Sequence, residues 1–174
     1  MNEDNYPKAL FERYGDMVYR IAISYGNQVS LAEDVVQEVF LRYLKKRPRF
    51  ENSKHEKAWF IRVTVNCCKT MVSSPWIKRI LPLDDIPQAA LAFQNQQEDN
   101  LYDLMLHLPP KYRVVLYLRY YEEYQVKEIA ELLHITPNLV SARLRRAKKM
   151  MEKEILKERK CFDGKTEIVS RNVQ

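Results

Sequence analysis

The sequence predicts an all-α fold of two small helical domains joined by a flexible linker, and three observations lead there. Only three glycines occur in 174 residues, Gly15, Gly26 and Gly164, too few for the closely spaced turns of a sheet-rich barrel or sandwich. Apolar residues recur at spacings of three and four along most of the chain, the period of a helix with one buried face. Charge is blocked: residues 1–41 carry three basic and seven acidic side chains (net −4), and residues 42–80 carry eleven against two (net +9). Residues 81–110 hold five acidic side chains and no Lys or Arg, and residues 111–160 hold thirteen basic against seven acidic (net +6). Two basic blocks around an acidic, proline-bearing stretch suggest two polyanion-binding surfaces and a spacer that avoids them. The same cations could also do no more than solvate helix faces.

Three helices are expected in the first domain, residues 1–73. The first, over 7–26, would bury Leu10, Tyr14, Met17, Val18, Ile21, Ala22 and Tyr25. Ser30-Leu-Ala-Glu33 has the pattern of a capping box, in which a hydroxyl and a carboxylate satisfy orphan amides at a helix start. It would open a helix to Lys46, buried through Val35, Val36, Val39, Phe40, Tyr43 and Leu44 and stopped before Pro48. Ser53-Lys-His-Glu56 repeats the device and would open a third helix to Val72, facing inward through Trp59, Phe60, Val63, Cys67 and Met71.

Pro75, Pro82 and Pro87 break this regularity, so residues 74–98 are expected to be a linker, with a short helix near 88–93. The second domain, 99–158, would start with a short amphipathic helix on Leu101, Leu104, Met105 and Leu108, ended by Pro109-Pro110. A helix over 111–121 follows, with proline in its first turn, where a missing N–H costs nothing. Helices over 125–133 and from Pro137 to Lys157 come next. The tail, 159–174, has no periodicity; it is expected to be disordered and receives no role.

Several classes are excluded or disfavoured. No apolar run of about 18 residues exists, so no span or direct membrane insertion is expected. Residues 1–8 are polar and acidic, unlike a secretory leader, so the chain reads as cytoplasmic. Cys67 and Cys68 are adjacent, Cys161 is alone, and His55, His107 and His134 are scattered, which supplies neither a disulfide framework nor a metal-ligand set. Cys67 and Cys68 read as inert packing rather than redox sensors. Paired carboxylates (Glu33–Asp34, Asp84–Asp85) lack a neighbouring nucleophile or ligand set, so no catalytic residue and no cofactor is expected.

The most specific feature is VKEIAELLHITPNLVSARLRRAKKMM, residues 126–151. Ile129, Ala130 and Leu133 would face inward, the small Ala130 allowing a close crossing. A turn of about three residues follows with Ile135 as its apolar plug, Thr136 as cap and Pro137 at the next helix start. That helix would bury Val140, Leu144, Ala147 and Met151. Its opposite face offers Asn138, Ser141, Ala142, Arg145 and Lys149, with Arg143, Arg146 and Lys148 on the flanks. This is the pattern of a helix-turn-helix, with short polar groups and Arg for base edges and cations for phosphates. An ordinary basic helical hairpin is the alternative.

Over roughly residues 7–157 the chain resembles the extracytoplasmic-function (ECF) sigma factors of bacterial RNA polymerase. The resemblance rests on AEDVVQEVFLRYLKKRPRF (32–50), KAWFIRVTVNCCKTM (57–71) and LHLPPKYRVVLYLRYYEEYQVKEIAELLHITPNLVSARLRRAKK (106–149), in that order and with a linker of suitable length. It implies a first domain that binds core RNA polymerase and opens the −10 promoter element, a second that reads the −35 element, and a linker in the enzyme's channels. An acidic linker would mimic nucleic acid there, or be a solvated spacer. It implies polymerase contacts at Asp34, Gln37, Glu38 and Leu41, and −10 DNA contacts at Arg49, Asn52, Lys54, Arg62, Asn66 and Lys69. Arg47 and Phe50 share the loop where the family captures a base; Trp59 reads as core more than as a stacking platform, and Asn66 could equally cap local backbone. For −35 DNA it implies Asn138, Ser141, Ala142 and Arg145 toward bases, with Arg143, Arg146, Lys148 and Lys149 toward phosphates.

Two departures stand out. Asn138-Leu-Val-Ser-Ala-Arg143 replaces the commoner family string Gly-Thr-Val-Lys-Ser-Arg, which leaves the helix-turn-helix intact and the promoter sequence open. Residues 72–76 lack the Arg cluster of many relatives, which implies fewer −10 backbone contacts. Expected partners are core RNA polymerase, promoter DNA and an anti-sigma protein. Competing readings are a stand-alone helix-turn-helix regulator of operator DNA and a polymerase-binding adaptor. An RNA-modifying enzyme is disfavoured by the missing acid–base or metal cluster.

Overall fold

Helix α1, Tyr6–Gly26, buries Leu10, Tyr14, Met17, Val18, Ile21 and Ala22, one stripe at helical spacing. The computed structural model describes residues 6–26, 28–73 and 104–171, with side chains excepted at 72, 73 and 157–171. The expected linker helix near 88–93, Leu101 and the cluster-poor run after residue 73 lie outside the described residues. Gly26 ends α1 where the chain turns back tightly. A Cβ there would lie 2.1 Å from Leu31 Cδ2 and 3.2 Å from its Cγ, so glycine lets α1 close on the first turn of the next helix.

Helix α2 runs Val29–Lys46 and α3 runs Ser53–Ser73. Neither uses its expected capping box. Gln28, in extended backbone, is the N-cap of α2 without a side-chain cap bond, and Ala32 N–H donates to Gln28 O at 3.1 Å. The helix therefore starts before Ser30, whose hydroxyl is left inside the first turn. In α3 the cap is Asn52: its Oδ1 accepts from His55 N–H at 2.9 Å, and its carbonyl accepts from Glu56 N–H at 3.0 Å. Glu56, released from capping, is 4% exposed and accepts from Tyr6 OH (2.6 Å), Tyr14 OH (2.9 Å) and Arg13 Nη1 (3.2 Å). It pins the start of α3 to α1. At the end of α2, Arg47 takes the left-handed conformation (φ 40°) and its N–H returns to Tyr43 O at 2.8 Å; Pro48 then forbids continuation.

Two burial expectations shift. Leu44 is 44% exposed rather than core, while Ile61, Thr64, Val65 and Cys68 join Phe60 and Cys67 inside. The cause is that α3 has neighbours on several sides, packing on α1, α2 and a helix of the second domain. One apolar stripe cannot describe a helix enclosed that way.

The second domain opens with a helical turn at 104–106, in which Leu104 and Met105 are buried, as is Leu108 beyond it. Helix α4, Pro110–Tyr120, has Pro109 as N-cap and proline in its first turn, as expected. Its Arg113 is 3% exposed and donates through Nη1 to Leu106 O at 3.0 Å, tying the opening turn down. Helix α5, Val126–Leu133, and helix α6, Pro137–Arg171, complete the fold. Helix α6 overruns its expected end. Residues 159–171, expected to be a disordered tail, continue the helix. After Pro137 no proline occurs, and Glu, Lys, Arg and Leu favour helix without needing a buried face.

The two halves pack together. Helix α1 lies against α4 and α3 against α5, and the buried apolar residues of both halves form one continuous cluster from Leu10 to Met151.

Candidate polymerase and nucleic-acid interfaces

Three exposed surfaces carry the residues singled out by sequence. The first is the outer face of α2. Val35, Val39 and Tyr43 turn inward, which leaves Asp34, Gln37 and Leu41 exposed and Glu38 half-exposed. Glu38 Oε1 accepts from Arg42 Nε at 2.7 Å, so its carboxylate is held rather than free to rotate. Leu41 is 47% exposed and Leu44 44%. At positions 34, 37, 38, 41 and 44 the face repeats at helical spacing, with carboxylates toward its N-terminal end and leucines beyond. Leu44 was missed because a leucine three residues after another is read as core by default.

The second surface is the 47–52 loop with the strip of α3 that follows. Arg49, Arg62 and Asn66 are exposed. Phe50 is fixed rather than splayed: its ring lies 6.5 Å from Tyr43 at 12°, and meets Trp59 (5.9 Å, 63°) and His55 (5.8 Å, 84°) at the edge. Trp59 also meets Tyr43 and Phe60 edge-on, so it is half-buried in an aromatic wall. Asn52 is occupied by the α3 cap described above. Lys54 Nζ is 2.5 Å from Glu128 Oε1, and Lys69 Nζ donates to Leu133 O at 3.1 Å. Positions 59, 62, 66 and 69 nevertheless fall on one strip of α3.

The third surface is the helix-turn-helix. Ile129, Ala130 and Leu133 are buried in α5, and Val140, Leu144, Ala147 and Met151 in α6, at the expected positions. His134 closes α5 in the left-handed conformation (φ 54°), Ile135 N–H returns to Ala130 O at 3.0 Å, and Thr136 Oγ1 accepts from Leu139 N–H at 3.2 Å. The turn is thus 134–136, with Ile135 half-buried as plug and Thr136 as cap. Asn138, Ser141, Arg145, Arg146, Lys148 and Lys149 are exposed, and Ala142 is half-buried. Arg143 is half-buried, and its Nε is enclosed without a hydrogen-bond partner among the described residues.

An open groove of about 630 Å³ runs beside this helix, lined by Arg119, Tyr120, Leu144, Arg145, Lys148 and Lys149 among others. Lys148 Nζ sits 5.5 Å over the Tyr120 ring, and Arg119 Nη1 donates to Tyr124 O (3.2 Å) and Gln125 Oε1 (3.1 Å). The last turn of α4 therefore shares the cationic surface of α6. Sequence reading passed over Arg119 and Tyr120 because only the fold sets them beside residues 145–149.

Cys67 and Cys68 are each 1% exposed. Burial pushes both thiols up from their ordinary range, which disfavours the reactive thiolate. Among the described residues, no group of three or more His, Cys, Asp or Glu is placed to hold a metal ion, and no helix is long and apolar enough to cross a membrane.

Comparison with known proteins agrees with this layout. The family models for Sigma-70 region 2 and for Sigma-70, region 4 match residues 10–76 and 98–151 respectively. The RNA polymerase sigma factor SigV of Bacillus subtilis (strain 168) is 31% identical over 145 residues, covering 80% of this chain and 85% of that protein. The chain belongs to the ECF sigma factors. It is accordingly a transcription initiation factor that binds core RNA polymerase and directs it to specific promoters. The ECF sigma factor SigW of the same organism is 26% identical over 164 residues, covering 82% and 84%. Among solved structures, the sigma factor RpoE in complex with the anti-sigma factor NepR, from Bartonella quintana, has a similar fold. The TM-score is 0.66 at 16% identity, over 88% of this sigma factor and 98% of that chain. The surfaces of α2 and α3 fall within the region 2 match, and α5 with the first turns of α6 within the region 4 match.

Proposed function

We propose that this sigma factor divides its work among the three surfaces. Asp34, Gln37, Glu38 and Leu41, joined by Leu44, dock on core polymerase: carboxylates meet a basic partner surface and the two leucines supply apolar contact. Arg49, Arg62 and Asn66, with Asn52, Lys54 and Lys69 once their present partners are released, hold the opened −10 strand. Single-strand binding needs cations along the backbone and flat side chains beside the bases, and the wall of Phe50 and Trp59 borders this strip. Asn138, Ser141, Ala142 and Arg145 face base edges of the −35 duplex. Arg146, Lys148 and Lys149 take phosphates, and Arg143 does so after turning outward.

The observation that carries the reading is the division of α6 into two faces. Val140, Leu144, Ala147 and Met151 are buried, which commits the polar and cationic residues between them to solvent, in the layout of a major-groove helix. The working units are residues 1–73 and 99–158, joined by 74–98. The protein acts in the cytoplasm, without catalytic chemistry of its own, under control of an anti-sigma protein.

The test is run-off transcription on a panel of promoters, with core polymerase in the presence and absence of the protein. Discrete start sites that appear only with the protein are expected. No new start, together with tight duplex binding by the protein alone, would replace the reading with an operator-binding regulator.

A further inference from the structure

Single exposed leucines are ordinary on protein surfaces, but the surroundings of Leu139 set it apart. It is 40% exposed and stands in the first turn of α6, two residues after Pro137 opens the helix. Its backbone is fixed there. Leu139 N–H donates to Thr136 Oγ1 at 3.2 Å, and Val140 N–H donates to Thr136 O at 3.1 Å. The side chain therefore leaves the helix at a set place, the N-terminal turn, from which recognition helices reach base edges.

The direction it takes follows from helix geometry. At about 100° per residue, Leu139 lies about 70° from the line opposite the buried stripe of Val140, Leu144, Ala147 and Met151, and Ser141 about 90° from it. Leu139 thus faces outward at least as squarely as Ser141. One turn further on, half-buried Ala142 continues its strip, and Arg146 continues it a turn beyond that.

The chemistry of this face has moved toward the apolar. Where the commoner family string reads Gly-Thr-Val-Lys-Ser-Arg, this chain has Leu139 for Thr, Ser141 for Lys and Ala142 for Ser. Two hydroxyls and an ammonium give way to a leucine, an alanine and one hydroxyl. The first turns of α6 lose hydrogen-bond donors at these positions and gain apolar surface. In the major groove, the apolar group that a base edge offers is the C5-methyl of thymine. A protein partner fits the site less well. The exposed leucines of α2 come as a pair, Leu41 and Leu44, whereas Leu139 stands alone between Asn138 and the cations Arg143 and Arg146, which favour a polyanion.

We infer that Leu139 is a base-reading residue that selects thymine in the −35 element by covering its C5-methyl, with Ala142 extending the same apolar step. The inference rests on the proposed −35 role of α6. It divides recognition by chemistry: Asn138 and Arg145 supply hydrogen bonds to base edges, and Leu139 supplies contact with a methyl group.

The test uses holoenzyme, the full-length protein with core polymerase. Promoter duplexes with a randomised −35 element are selected for binding, and each thymine of the selected element is then replaced by deoxyuridine, which removes only the methyl. Loss of one methyl from an apolar contact should weaken wild-type binding about fourfold at one or two positions. Leu139→Ala should bind the thymine duplex about as weakly as the wild type binds the uracil one, and the exchange should not weaken it further. Circular dichroism of the variant should match the wild type, because the site is exposed. A selected element without thymine, no response to uracil at any position, or an equal response in wild type and Leu139→Ala overturns the inference. Arg145→Ala on the same duplexes separates the two ways of failing. If the wild type prefers the selected element over a scrambled one and Arg145→Ala loses that preference, only the leucine assignment is wrong. If the wild type shows no preference, the reading of −35 DNA by α6 is wrong as well.

Discussion

A carboxylate 4% exposed to solvent has lost most of its hydration, and Glu56 is tolerated there because Tyr6, Tyr14 and Arg13 replace that water with three donors. Removing one partner of such a cluster leaves buried polar atoms unsatisfied. Glu56→Ala is therefore expected to cost about 3 kcal/mol, and Glu56→Gln less, since the amide oxygen still accepts; urea unfolding midpoints give both values. The cluster also has an alkaline limit. Hydrogen bonding to Glu56 is the main cause that pushes the Tyr6 phenol from 10.0 up to about 12, with burial second. A raised pKa contributes stability that is complete below pH 10 and is lost as pH rises toward 12, so the unfolding midpoint should fall across that window in the wild type and less in Glu56→Gln. On the DNA side, Arg145→Ala should cost about 1–3 kcal/mol on the matched −35 duplex and relax sequence choice. Lys149→Ala should weaken matched and scrambled duplexes alike and lower the salt slope by about one. Fluorescence anisotropy on both duplexes at several salt concentrations separates them; equal losses for Arg145→Ala would remove it from base reading.

At the scale of elements, periodicity predicted α1, α2, α4 and α5 to within two residues because each has a buried stripe or a proline at its boundary. The caps were less legible. Ser30 and Ser53 each stand three residues before a glutamate, but Gln28 and Asn52 lie just upstream and take the N-cap first. Glu56 then gains more from α1 than from its own helix start, a tertiary preference with no local signature. Leu44 shows the same limit from outside: its spacing fits the core, and only the packing of α2 on α1 and α3 turns it to solvent. That difference is measurable. A core leucine truncated to alanine costs about 2–5 kcal/mol, whereas Leu44→Ala at an exposed site should change stability by less than about 0.5 kcal/mol. The same substitution should weaken binding to core polymerase severalfold. Asp34→Lys with Glu38→Lys should abolish that binding while circular dichroism stays unchanged; retained binding would exclude the α2 face as the docking surface. In the helix-turn-helix, by contrast, cap, plug and buried stripe lie where the sequence put them, and only Ala142 and Arg143 of the expected outer face are half-buried. There the turn is short and its determinants, Ala130, Ile135, Thr136 and Pro137, are local.

For the molecule as a whole, block charge suggested two polyanion-binding surfaces but not that the second domain would cover the first. Glu122 and Glu128 sit inside a block of net positive charge, and their partners on α3 are more than sixty residues away in sequence. The strength of the closed state follows from the kind of contact. The Lys54–Glu128 pair is largely exposed, 75% and 31%, and solvent-screened pairs of this kind contribute little. The apolar packing of α1 on α4 carries the rest, so loss of one charge should loosen the closed state without unfolding either domain. The Lys54 hydrogen bond is the first cause that lowers the Glu128 carboxyl from 4.5, and the Glu128 hydrogen bond the first that raises the Lys54 ammonium from 10.5. A lowered carboxyl pKa contributes stability that is present above 4.5 and lost as pH falls through the folded value; a raised ammonium pKa contributes below 10.5 and is lost as pH rises past it. The pair therefore works fully between those limits, and interdomain energy transfer between dyes on α2 and α6 should be flat from pH 6 to 8 and decline below pH 4.5. In Glu128→Gln the Lys54 component of that decline should vanish, because no proton remains to be taken up at that site. A wild-type profile that matches the variant's throughout would mean that the lysine–glutamate contact contributes nothing to closure, and that apolar packing alone holds the two domains together.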